Sequence, residues 1–63
     1  MQPASKADSM PRRALVVDSD FFFVEFLAGL LEKRGYEVRK AYDGKQGIAG
    51  MEEGPYDVLF ADL

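Results

Sequence analysis

Two short stretches of this 63-residue chain hold the residue types that could do chemistry. The first is "VVDSD", where Asp18, Ser19 and Asp20 follow an apolar run. The second is "DVLFADL", where Asp62 stands alone at the end of another apolar run. Carboxylates brought together repel, so a cluster of them calls for a cation or a shared proton. A hard divalent ion is the natural answer, and magnesium prefers one or two carboxylates, waters and a phosphate oxygen. A carboxylate beside such an ion can also attack phosphorus and form an aspartyl phosphate. Asp62, isolated on its strand tip, is the better nucleophile. Each acid has a plainer reading as well. Asp18 and Asp20 suit the cap of a following helix, and a terminal Asp62 suits solvent. What favours chemistry is their joint position, which depends on the elements that carry them.

Those elements alternate. "RALVVD" is a continuous apolar run of the kind found in strands buried on both faces. From Asp20 to Arg34 the period becomes helical, with Phe23, Phe26, Leu27, Leu30 and Leu31 on one expected buried side and Glu25 and Glu32 opposite. Ser19 or Asp20 can cap its start, and Gly35 supplies a left-handed stop. "YEVRKAY" alternates as an edge-like strand with one wet face: Tyr36, Val38 and Lys40 on one side, Glu37, Arg39 and Ala41 on the other. "DGKQGIAGMEEG" reads as a weaker helix capped by Asp43, with Ile48 and Met51 as its buried stripe and each of Gly47 and Gly50 costing about 1 kcal/mol relative to alanine. "YDVLFADL" is the third strand. The order strand, helix, strand, helix, strand predicts an α/β fold with parallel strands and right-handed crossovers. Sites in such sheets lie beyond the carboxyl ends of the strands. With the first strand between the second and third, Asp18, Asp20 and Asp62 all fall at that edge.

Composition removes most other chemistries. With no cysteine and no histidine, disulfides, thiolate metal sites and imidazole catalysis are excluded. A formal charge of −3 argues against a nucleic-acid footprint. Residues 1–12 read as a flexible tail with neither a signal peptide's apolar core nor a membrane span, so the expectation is a soluble, cytoplasmic chain. A nucleotide-binding reading needs a glycine-rich turn after the first strand, and "VVDSDFFF" offers acids and phenylalanines there.

From residue 13 onward, "ALVVDSD", "LLEKRGYEV", "AYDGKQGI" and "PYDVLFADL" stand in register with the first half of a response-regulator receiver domain of bacterial two-component signalling. The chain resembles that family across residues 13–63. The resemblance implies a βαβαβ half of a doubly wound, flavodoxin-like sheet in the order 2-1-3. It also implies that Asp62 takes a phosphoryl group from a histidine kinase or phosphotransfer protein, with magnesium held by Asp18 and Asp62. Such a domain is a signalling switch rather than an enzyme, although receivers catalyse their own phosphorylation. The family has two consecutive acids after the first strand, and here the second is Ser19, so the remaining ligand position falls to Ser19 or Asp20. The family's later hydroxyl and lysine have no match in this sequence, and neither Lys40 nor Lys45 stands in that lysine's place. The expectation is therefore a fragment, incomplete as a switch, whose exposed third-strand edge promotes self-association. The alternative is an inert pseudo-receiver that keeps the fold as an interaction module. Phe22, on the flank of the first helix, is the expected partner contact.

Overall fold

The computed structural model describes residues 11–62. Most of the expected tail lies outside them, and Arg12 already belongs to the first strand. The elements are β1 (Arg12–Val17), α1 (Phe21–Lys33), β2 (Tyr36–Ala41), α2 (Gly44–Met51) and β3 (Val58–Ala61). The three strands form one sheet, parallel as the alternation implied and in the order β2-β1-β3 that the resemblance implied. β1 pairs along its full length with β2, from Arg12 opposite Tyr36 to Val17 opposite Ala41. Its last residues, Ala14 to Val17, pair with Val58 to Ala61 of β3. Being central, β1 is where burial is deepest, and Ala14, Leu15 and Val16 are wholly inaccessible.

The helices take opposite faces. Side chains alternate along a strand, so Leu15, Val17, Arg39 and Ala41 face α2, and Val16, Lys40 and the following Tyr42 face α1. Each helix starts on an aspartate cap. The Asp20 carboxylate accepts from the Phe23 N–H and the Asp43 carboxylate from the Gln46 N–H. α1 ends at Gly35, whose φ of 91° lies in the left-handed region where a side chain is strained.

Four expectations about side chains are corrected. On α1 the buried residues are Val24 and Ala28, while Phe23, Phe26 and Leu30 are exposed. The stripe is rotated: Leu27 and Leu31 of the expected side stay half-buried, Val24 and Ala28 take the closest contact with the sheet, and Phe23, Phe26 and Leu30 turn outward. Glu25, expected in solvent, is half-buried against β2. On α2 the buried residues are Gly47 and Gly50, with Ile48 63% and Met51 55% exposed. A Cβ on Gly47 would sit 2.9 Å from Val17 Cγ1, and one on Gly50 would sit 3.0 Å from Leu15 Cδ1. The glycines therefore form the contact face and are not a mere cost in helix propensity. Lastly, β2 has no fully wet face, because Arg39 reaches Glu53 beyond α2 and Lys40 reaches Glu25 of α1.

The connection into β3 is held by Arg13. Its N–H donates to Asp57 Oδ2 at 2.8 Å, its carbonyl accepts from the Asp57 N–H at 2.7 Å, and its guanidinium donates to the Glu53 and Pro55 carbonyls. That guanidinium lies 4.6 Å from the centre of the Tyr56 ring, which packs on the Leu15, Val17 and Ala41 cluster. The chain thus enters β3 in a set register, which decides where Asp62 arrives.

Candidate functional site

Strand order places the carboxyl ends of β1 and β3 side by side, at the point where the two crossovers diverge. Two backbone bonds carry the pairing one residue past the strands. The Asp18 N–H donates to the Ala41 carbonyl at 3.1 Å, and the Asp62 N–H donates to the Val17 carbonyl at 2.9 Å. The Asp18 backbone is thereby fixed to the tip of β2, and the Asp62 backbone to the tip of β1. The turn between them and α1 is closed by side chains. Asp18 Oδ1 accepts from the Asp20 N–H at 2.8 Å, and Asp20 Oδ1 accepts from the Phe23 N–H at 3.2 Å. One oxygen of each carboxylate is thereby committed to local structure, and Oδ2 of each lies outside these bonds.

An open cleft of about 470 Å³ sits over this edge, lined by Asp18, Asp20 and Asp62 with Val17, Phe23, Phe60 and Ala61. The three acids expected at one edge do share it. They do not form a tight cluster: among the described residues no group of three or more carboxylates is placed to hold a metal ion together. The reason is local, since Asp18 and Asp20 each commit an oxygen to the turn and the helix cap. Of the two alternatives for the remaining ligand position, Asp20 lines the cleft, whereas Ser19 is exposed and does not. The donors facing the cleft are oxygens alone, a set that suits a hard divalent cation completed by water and a phosphate oxygen.

Aromatic groups surround the acids. Phe22 is 81% exposed, the most exposed of the large apolar side chains among the described residues. Phe21 stacks on Tyr42 with ring centroids 5.5 Å apart and meets Phe22 edge to face at 5.7 Å.

A polar bridge next to the cleft was missed by sequence reasoning. Glu25 of α1 accepts from the Tyr42 hydroxyl at 2.6 Å and from Lys40 Nζ at 3.1 and 3.2 Å. Lys40 carried the available signal. It shares a strand face with Tyr36 and Val38, and a cation turned toward a helix calls for a counter-charge there. The Tyr42 bond, and after it the Lys40 bond, hold the Glu25 carboxyl below the usual carboxylate range. The bond to Glu25 raises both the Lys40 ammonium and the Tyr42 phenol above their ordinary values.

These shifts set an expected pH dependence. Glu25 has a folded value below its unfolded one, so its contribution is present above the ordinary glutamate value of 4.5 and is lost as pH falls through the lowered value. Lys40 and Tyr42 contribute below their ordinary values, and that contribution is lost as pH rises through the raised ones. Urea midpoints measured against pH are expected to fall on the acid side, and Glu25→Gln is expected to flatten that limb. An unchanged limb would show that the bridge does not form in solution.

No protein-family model matches the chain, and no solved structure matches it. Among curated proteins it is similar to the CAI-1 autoinducer sensor kinase/phosphatase CqsS of Vibrio cholerae serotype O1, with 42% identity over 52 residues. That alignment covers 82% of this chain and 8% of the relative, so the chain spans less than a tenth of the curated protein it matches. The relative is a sensor kinase/phosphatase. Among the described residues no helix is long and apolar enough to cross a membrane.

Proposed function

We propose that this chain is a phosphoacceptor segment of a cytoplasmic two-component phosphorelay, taking a phosphoryl group on Asp62 from a histidine kinase or phosphotransfer protein. The observation that carries the proposal is the shared cleft: Asp62 stands beside Asp18 and Asp20 at the carboxyl edge of a parallel sheet, where the strand order 2-1-3 places ligands in this architecture. Similarity to a sensor kinase supports the same setting.

In this reading an Asp62 oxygen attacks phosphorus, an O–P bond forms, and the P–N bond of the donor phosphohistidine breaks. The departing imidazole nitrogen keeps the electron pair and takes up a proton. Asp18 and Asp62 would offer carboxylate oxygens to magnesium, with Asp20 nearby on the cleft wall, and the ion would supply screening for the charge of the incoming phosphoryl oxygens. The chain's own part is to hold Asp62 against the β1 tip through the Val17 bond, to place Asp18 and Asp20 beside it, and to present Phe22 as a partner contact. The chain acts as a switch and not as an enzyme on a separate substrate.

The experiment is to incubate a protein containing this segment with a small phosphodonor and magnesium, then to trap any acyl phosphate by borohydride reduction. The expected product is homoserine at position 62. No trapped product, or trapping at another acid, would refute the assignment. One observation favours the second reading, an inert interaction module: the exposed Ser19 stands where the family has an acid. Failed labelling with intact fold would select it.

The ligand set has its own test. Asp20→Asn keeps an effective helix cap but removes a charge, and fewer ligand charges weaken hard-cation binding. Magnesium affinity followed by amide shifts is expected to fall on the order of tenfold, with Ser19→Asp changing it less. Unaltered affinity in Asp20→Asn together with a gain in Ser19→Asp would transfer the ligand role to position 19.

The outer edge of β3 pairs with no strand among the described residues, and Leu59 and Phe60 are exposed on its two faces. Such an edge is a template for strand addition, and a second copy supplies an identical one about a two-fold axis. Size-exclusion chromatography of this chain is expected to show dimers or larger species, shifted toward monomer by Leu59→Lys. A well-folded monomer with slowly exchanging β3 amides would contradict this.

A further inference from the structure

We propose that Tyr42, held by Glu25, is a positioning residue for the acidic turn Asp18-Ser19-Asp20, a role that rests on the reading of those acids as the phosphoryl and metal site. The turn is anchored at its start, where the Asp18 N–H meets the Ala41 carbonyl. Its far end is Asp20, the cap of α1, so the placement of that carboxylate follows the first turn of the helix. Apolar burial does not hold that turn down. Phe21, Phe22 and Phe23 are all exposed, and the first buried residue of the helix is Val24.

What ties the first turn to the sheet is Tyr42. Its ring stacks on Phe21, the residue next to Asp20, at 5.5 Å and an interplanar angle of 25°. Its hydroxyl donates to Glu25 at 2.6 Å, one helical turn further on, and Lys40 fixes the same carboxylate from the strand. Tyr42 is itself held by the backbone. Its N–H donates to Gln46 Oε1 at 2.9 Å while the Gln46 N–H donates to Asp43 Oδ1 at 2.7 Å, so both bonds meet at Gln46 in the first turn of α2. It also directly follows Ala41, whose carbonyl holds Asp18. One tyrosine therefore links the tip of β2, the start of α2 and the start of α1, and the acidic turn spans the gap between two of these points. A bond between a hydroxyl and a carboxylate is among the stronger kinds, because one partner is ionised.

The test reads the turn directly. The amides of Asp20 and Phe23 make the two bonds that shape it, and the amides of buried Leu15 and Val16 report the stability of the whole sheet. In the metal-free chain, Tyr42→Phe keeps the ring and drops the hydroxyl. It is expected to speed exchange at Asp20 and Phe23 roughly tenfold, the scale of one hydrogen bond to a charged group, with Leu15 and Val16 little changed. Glu25→Ala is expected to do the same, and Glu25→Gln, which still offers an oxygen to the tyrosine, to restore most of the protection. Equal acceleration at all four amides, or none, would overturn the proposal. A magnesium titration of the same variants separates this inference from the reading it rests on. Weaker binding in Tyr42→Phe than in the parent supports both. Local acceleration with no magnesium binding even in the parent leaves the positioning role standing and removes the metal-site reading.

Discussion

Asp62→Asn is expected to abolish phosphoryl uptake while leaving the fold intact. The two effects separate because the residue's structural contact is made by its backbone: the Asp62 N–H donates to the Val17 carbonyl, and that bond is independent of the side chain. Asparagine has nearly the same shape, but its amide oxygen carries no full negative charge and its nitrogen pair is delocalised. It cannot attack phosphorus effectively, and as a neutral oxygen it is a weaker ligand for a divalent cation. Labelling by a kinase or a small phosphodonor is expected to vanish in the variant, with circular dichroism and the urea midpoint close to the parent's. Because Asp62 is exposed, loss of fold is not the expected route to loss of label. Retained labelling would place the acceptor elsewhere, and Asp18 and Asp20 would be the next residues to replace.

The second large effect is on stability. Gly47→Val is expected to destabilise the chain by about 2–3 kcal/mol, the upper part of the range for overpacking a well-packed contact. The first atom added already lies too close, at 2.9 Å from Val17 Cγ1 and 3.1 Å from Cγ2. Val17 is β-branched and buried in the central strand, so it has little freedom to move aside. Valine then adds two further methyl groups in the same space. Replacing a helix-interior glycine ordinarily gains up to about 1 kcal/mol in propensity, which makes a net loss here diagnostic of close helix–sheet approach. Gly50→Ala offers the contrast. Its Cβ would meet the flexible end of Leu15 at 3.0 Å, so a smaller change is expected. Urea denaturation of the variants provides the comparison. A neutral or stabilised Gly47→Val would mean that α2 stands further from β1 than the structure has it.

The two outcomes have different bearings. Loss of label in Asp62→Asn with retained fold supports the phosphoacceptor reading, and the Gly47 series tests only the architecture beneath it. With a different architecture, Asp18 and Asp62 would no longer share Val17 as a neighbour at the β1 tip, and the three acids would not line one cleft.

Much of the site was legible before any coordinates. A continuous apolar run ending at Asp18 and another ending at Asp62 read as two parallel strands, and parallel strands in an alternating α/β chain must bring their carboxyl ends to one edge; the burial expected of both holds for β1, while Leu59, Phe60 and Ala61 of β3 are exposed. The caps were legible too, because Asp20 and Asp43 each precede a helical period and each accepts the expected N–H. Local chemistry, with partners a few residues apart, determined those features. The sequence by itself thus determined the order of elements, the parallel sheet and the edge at which the acids gather. Only the tertiary structure decided which side of each helix is buried, that Asp20 rather than Ser19 lines the cleft, and that Glu25 meets Lys40 and Tyr42. The physical reason is that periodicity reports where apolar residues recur along a helix but not how near the neighbouring layer stands. Gly47, Gly50 and Ala28 win the contact because they let backbones approach, and Phe26 and Ile48 lose it because they do not. The Glu25 bridge joins residues 15 and 17 positions apart, a separation that no local pattern encodes and that only the packing of α1 on β2 closes.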